Sequence, residues 1–303
     1  MNMVITNQKN SITIPELESY TESFIKYLDV DDKTLKAYRV GIRALMEFLN
    51  DNEIKNPVRD DIIAFRDYLR ESYSSNTVNS YMIAVRALFK YLEVHERYKN
   101  ITVDIKGAKY DTTPKKEVLD LEQMKEIYNN LTDVREKSLF ALLSTTGLRI
   151  CEVSTALIED IRYHNGEIVL FVLGKKRDSK CEYVKLSNQV LEDLKKYIGD
   201  RTSGPIFIST SNNSIGKAMS TTSLRKTIKD IFKRFGIDKD TISCHSLRRT
   251  CATIMYQQGK SIYDIQQVLH HVSSNTTARY INAVTRNEND SEYIVSDAIL
   301  GGM

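Results

Sequence analysis

Residues 245–280, HSLRRTCATIMYQQGKSIYDIQQVLHHVSSNTTARY, hold three of the five histidines in this 303-residue chain, set them among arginines and end on a tyrosine. Their apolar residues recur at helical spacing, which predicts helices at about 246–258, 262–270 and 274–284. Gly259 suits the position just past the first helix, and Ser261 with Asp264 reads as a capping box opening the second. His245 and Arg248 stand one helical turn apart on one face. A scattered histidine is ordinarily a core residue. Three together beside cations read as a site.

Upstream, Thr146-Gly147-Leu148-Arg149-Ile150-Cys151-Glu152 sets an arginine at a helix start, just after a glycine and three residues before Glu152. Alone, this is an ordinary exposed Arg–Glu pair. Gly166–Leu173 and Cys181–Leu186 predict two strands joined by a cationic turn, Gly174-Lys175-Lys176-Arg177-Asp178-Ser179-Lys180. Further helices are expected at about 121–131, 136–144, 187–198 and 221–235. The front of the chain carries amphipathic patterns at about 14–29, 32–51, 58–73 and 75–94, with Asp32 and Ser75 or Asn76 as N-caps. Residues 98–116 break the periodicity with Gly107, Pro114 and many lysines, and read as a linker. The expectation is a mainly α chain. It has a small helical domain at 1–97, a linker at 98–116, and a mostly helical domain with a small antiparallel β-sheet at 117–303.

Composition bounds the function loosely. Hydrophobic residues make up 41%, charged residues 27%, and the net charge is +3. These are ordinary values for a soluble protein, so a nucleic-acid binder of this kind must segregate its charge. Cys151, Cys181, Cys244 and Cys251 form no CxxC pair and read as reduced thiols of a cytoplasmic protein. No apolar run approaches the about 20 residues that span a bilayer, and no signal peptide is evident, so no membrane partner is expected. Cys244, His245, His270 and His271 match no common zinc spacing. No carboxylate cluster beside these motifs looks built for Mg²⁺. No metal and no cofactor are expected.

Taken together, TGLRxxE, a lysine-bearing hairpin, HxLR, a histidine after an aliphatic run and a tyrosine nine residues later resemble the tyrosine recombinases, or phage integrase family. The motifs stand in the family's order. The resemblance covers 117–285, and the helical front resembles the family's core-binding domain more loosely. It implies that Arg149, Arg248 and His271 clamp a scissile phosphate of double-stranded DNA. Tyr280 attacks phosphorus to give a 3′-phosphotyrosine, Lys175 protonates the leaving oxygen, His245 assists proton transfer, and Glu152 supports from behind. Two residues depart from the pattern: Arg249 replaces a common second histidine, and His270 a common glycine. The nine-residue spacing to Tyr280 favours His271 over His270. Lys175 is favoured over Lys176 because it follows the glycine directly.

The chemistry fits those roles. Guanidiniums offer paired donors to phosphate oxygens, and neighbouring cations favour the phenolate. A covalent intermediate keeps the bond energy for resealing without ATP. DNA-backbone contacts are expected from Lys33, Thr77, Arg86 and Lys90 in front and from Arg225, Lys226 and Lys229 behind; ordinary solvated helix faces are the alternative. The family resemblance further implies a tetramer on two DNA sites, with accessory DNA-bending factors as possible partners. The apolar tail around Ile294–Leu300 would dock on a neighbouring protomer. Competing readings are a type IB topoisomerase, a non-catalytic DNA-binding protein and a metal-dependent nuclease.

Overall fold

Asp31 and Ser74 open two long front helices by accepting hydrogen bonds from the backbone N–H of Thr34 and Thr77. Each cap stands one residue or more before the expected one, because the side chain must reach the N–H three residues on. The computed structural model describes residues 9, 11–109, 117–174, 179–271, 273–278, 280 and 281. The chain divides into two compact units, Met1–Thr112 and Thr113–Met303.

The first unit is built from α1 (Ile14–Tyr27), α2 (Asp32–Asp51), α3 (Arg59–Ser72) and α4 (Ser75–Val94). Leu45, Leu49, Phe65, Leu69, Val85, Leu88 and Phe89 are fully buried in its core. Gly41 lets α2 approach α4, since an added Cβ would lie 3.0 Å from the Tyr81 Cα. The expected linker is partly core: Tyr98, Ile101 and Ile105 pack into this helical cluster. Their apolar side chains find cover on the unit that precedes them, which periodicity could not reveal. Residues 110–116 lie outside the described residues.

The second unit runs α5 (Leu121–Asn130), α6 (Val134–Thr146), α7 (Ile150–Ser154), β1 (Ile161–His164), β2 (Glu167–Val172), β3 (Glu182–Lys185), α8 (Asn188–Ile198), α9 (Thr221–Arg234), α10 (Cys244–Gln257) and α11 (Ile262–Val268). Residues 274–278, 280 and 281 are helical as well. The sheet is antiparallel in the order β1-β2-β3, one strand more than expected. His164 pairs with Glu167 across Asn165-Gly166, and both turn residues have positive φ, 49° and 84°. An Asn-Gly pair favours this tight hairpin turn, so the signal was present in the sequence. Helix α6 is buried nearly all round, from Ser138 to Leu143. It ends at Gly147, which takes the left-handed conformation at φ 65°. Ser261 and Asp264 form the expected capping box.

Candidate active site

Three corners of the second unit converge. The first follows α6. An added Cβ on Gly147 would fall 2.5 Å from the Leu269 Cδ2, so glycine serves both the backbone turn and the close approach. Just beyond it, Glu152 is buried and takes hold of Arg149 twice. One carboxylate oxygen accepts from the Arg149 backbone N–H at 2.6 Å, the other from Nη1 at 2.7 Å. Arg149 keeps 26% of its side chain exposed and is therefore oriented yet reachable.

The second corner is the start of α10. Arg248 is only 2% exposed. Its Nη1 donates to the Gly147 carbonyl at 2.6 Å, and its Nη2 donates to the Leu269 carbonyl. Burial, then the neighbouring Arg149 charge, pushes its pKa below the ordinary arginine value. A buried guanidinium short of anionic partners is a receptor for an anion. His245, one turn earlier, is exposed at the rim.

The third corner follows α11. His271 is buried, and its Nδ1 shares a 2.8 Å hydrogen bond with Thr277 Oγ1. Burial first, then Arg248, Arg149, His245 and His270, depress its pKa to about 3. The imidazole is therefore neutral near pH 7 and can serve a phosphate oxygen without adding charge. Tyr280 lies between two histidines, with ring centroids 5.3 Å from His245 and 5.2 Å from His271. Its hydroxyl is 2.9 Å from the His245 Nε2. Arg249 stands over the Tyr280 ring, 5.9 Å from its centroid.

Arg149, His245, Arg248, His271 and Tyr280 are thus one cluster, backed by Glu152. Lys175 lies outside the described residues, as do Lys176 and Arg177. Lys180 at the hairpin's far foot is tied to the Thr155 carbonyl and to Asp160. A cleft of about 490 Å³ opens beside Arg149, His245 and Arg248, and Arg225 and Lys229 also line it.

Lys33, Lys90, Arg225, Lys226 and Lys229 are exposed, though Lys90 pairs with Glu93 and Lys229 with Asp240. Arg86 differs from the surface role expected for it. It is half-buried and donates to the Met82 and Ile105 carbonyls, at 3.2 and 3.1 Å. Those carbonyls lie within reach of its stem, so it braces the 98–109 segment. Thr77 is half-buried, and its backbone N–H completes the α4 cap. Groups that sequence reasoning did not place at the site are the Glu182 side chain and the Gly147 and Leu269 carbonyls. Backbone acceptors leave no mark in a sequence. No helix among the described residues is long and apolar enough to cross a membrane.

Comparison with known proteins agrees with this architecture. Residues 117–286 match the model of the phage integrase family, and residues 17–96 match that of the phage integrase N-terminal SAM-like domain. Tyrosine recombinase XerA of Pyrococcus furiosus is 28% identical over 268 residues, covering 88% of this chain and 90% of that one. Tyrosine recombinase XerD of Staphylococcus epidermidis is 25% identical, covering 87% and 94%. Among solved structures, XerH recombinase bound to palindromic difH substrate superposes with a TM-score of 0.70 at 20% identity, covering 94% of this chain and 84% of that one. A lambda integrase tetramer bound to a Holliday junction gives a TM-score of 0.70 at 17% identity, covering 91% and 79%. With the family model spanning more than half of its length, the chain belongs to the phage integrase family of tyrosine recombinases, which are DNA strand-transferases.

Proposed function

We propose that this recombinase cuts and rejoins double-stranded DNA at specific sites through a covalent 3′-phosphotyrosine at Tyr280, without metal or ATP. The observation that carries this reading is the Tyr280 hydroxyl, 2.9 Å from the His245 Nε2 and beside two arginines aimed into one cleft. His245 takes the phenolic proton. The Tyr280 oxygen bonds to phosphorus, the bond from phosphorus to the 5′ oxygen breaks, and that oxygen leaves as a hydroxyl once protonated. Lys175 of the hairpin is the proposed proton donor. Arg149, Arg248 and neutral His271 hold the non-bridging oxygens as negative charge builds on them; losing one such preorganised donor typically costs about 10²–10³ in rate. A 5′ hydroxyl from the partner strand then reverses the step, and the energy stored in the phosphotyrosine bond makes ATP unnecessary.

The domain assignment is proposed as expected: DNA binding by the helical front, and catalysis by 117–303. Lys33 and Lys90 in the front unit and Arg225, Lys226 and Lys229 behind would meet backbone phosphates. A tetramer on two sites follows from one nucleophile per chain, since two duplexes present four strands. Lambda integrase has been solved as a tetramer on a Holliday junction. The apolar tail, 294–300, lies outside the described residues and is proposed to dock on a neighbour. The expected location is the cytoplasm, with accessory DNA-bending factors as candidate partners.

The test is adduct trapping. Labelled DNA from the flanks of the gene is incubated with protein in EDTA and quenched with SDS. An SDS-stable adduct that is lost in Tyr280→Phe is expected. Binding without an adduct on any flank would favour a non-catalytic DNA-binding protein, and cutting only with Mg²⁺ would overturn the mechanism.

A further inference from the structure

His270 precedes the clamp histidine and sits in a conformation that costs energy. Its φ is +49°, a left-handed backbone that a residue with a Cβ adopts at a cost of about 1–2 kcal/mol. Strain of this kind persists only where surrounding contacts hold it, and it clusters at functional sites. The contacts here run in two directions. The His270 carbonyl accepts from Arg149 Nη2 at 3.4 Å. Its ring, 9% exposed, sits against the first two residues of β3. Nε2 lies 3.0 Å from the Tyr183 carbonyl, and Nδ1 lies 3.4 Å from the Glu182 Oε2. Glu182 in turn lies over Gly174 at the other foot of the same hairpin; an added Cβ there would fall 2.5 Å from Oε2.

We propose that His270 is a positioning residue for strand transfer. It holds the β3 foot of the β2–β3 hairpin, with Glu182 lying across to the Gly174 foot, against the arginine clamp, and so sets where the hairpin's cation meets the leaving oxygen. The inference rests on the reading above, in which that hairpin supplies the general acid. The tip itself lies outside the described residues; the argument concerns Gly174, Glu182 and Tyr183. Physical chemistry disfavours a metal at the same place. Ligand atoms of Glu152, Glu182 and His270 lie within 4.8 Å of one another. Both Glu152 oxygens, however, already accept from Arg149, so a dication would strip the clamp arginine of its support.

The experiment compares wild type with His270→Gly and His270→Asn. Glycine takes this backbone freely and asparagine tolerates it, so both variants fold. Each is assayed in EDTA for adduct formation on ordinary DNA and on DNA carrying sulfur in place of the 5′-bridging oxygen. A thiolate leaves without a proton, because a thiol's pKa is about 8.5. For His270→Gly we expect DNA affinity and melting temperature near wild type. The rate on ordinary DNA should fall about ten- to a hundredfold, the scale set by misplacing a catalytic group by an ångström. The sulfur-bridged DNA should be cleaved at close to the wild-type rate. Asparagine, whose amide nitrogen can stand where Nδ1 stands and donate to the Glu182 carboxylate, should recover part of the loss.

Wild-type cleavage of ordinary DNA by His270→Gly would overturn the proposal. Equal slowing on both substrates would also overturn it, since His270 would then act on the clamp. A rate that Zn²⁺ restores after EDTA would overturn it in favour of a metal. An absence of adduct with the wild-type protein itself would instead overturn the proposed function, and this inference with it.

Discussion

Two corners of the second unit turn through the same left-handed backbone region, and they are made from different residues. After α6 the turn is Gly147, at φ 65°; after α11 it is His270, at φ 49°. Both deliver a carbonyl to the arginines. Gly147 offers its own to Arg248, and His270 offers its own to Arg149. The glycine corner is free of backbone strain and packs tightly. The histidine corner is strained and is held by ring contacts to β3. The contrast separates a corner that only shapes the site from one that also connects the site to another element.

The largest effect that would sharpen this contrast concerns Arg248, which both corners serve. It is fully buried, and its two terminal nitrogens face the Gly147 and Leu269 carbonyls. Arg248→Lys cannot match that fork, because an ammonium is a point charge without fixed paired donors. Single-turnover adduct formation should fall about 10²–10³-fold, the usual cost of one lost preorganised donor. A loss under fivefold would mean that Arg149 alone carries the phosphate, and that the shared carbonyls are incidental.

The next effect sets the corners directly against each other in stability. Gly147→Ala places a Cβ at φ 65° and 2.5 Å from the Leu269 side chain. It should lower unfolding stability by about 2–3 kcal/mol, adding left-handed strain to overpacking. His270→Gly should change it by less than about 1 kcal/mol, because the relieved strain offsets the lost ring contacts. Denaturant unfolding of both variants measures the difference. Equal losses would erase the distinction between the corners.

The same contrast explains what was legible beforehand. The helices of the front unit follow from period alone, since each buries one stripe, while the caps stand a residue or more before the expected ones. Strand β1 was missed because Ile161–His164 is four residues long with exposed Arg162 and Tyr163, which leaves little apolar signal. Its Asn165-Gly166 turn was the clue. At the candidate site, the side chains that cluster, Arg149, His245, Arg248, His271 and Tyr280, are legible by type and order. The groups that hold them were not. Backbone carbonyls carry no sequence signature, and the partners of His270 lie on a strand far along the chain. Tyr98, Ile101 and Ile105 read as linker because three scattered apolar residues make no period; only the packed unit shows where they go.

The smallest effect tests what the histidine corner delivers. With its pKa near 3 in the folded protein and about 6.5 when unfolded, His271 binds a proton more readily in the unfolded chain. Its contribution is therefore fully present above about pH 6.5 and is lost as pH falls toward 3, by up to about 1.4 kcal/mol per pH unit. His271→Gln removes this one titration and leaves the others in place. Unfolding measured from pH 7.5 to 5 should thus give a steeper loss in wild type than in the variant. DNA should narrow the gap in part, because a bound phosphate offsets the Arg248 and Arg149 charges, which after burial are the next causes that hold the imidazole neutral. Parallel curves without DNA would mean that the unfolded and folded proton affinities of His271 match. Burial, the largest cause of the shift, and the Arg248 and Arg149 charges behind it would then together fail to depress its pKa, and the imidazole would face phosphate as an ordinary solvated histidine.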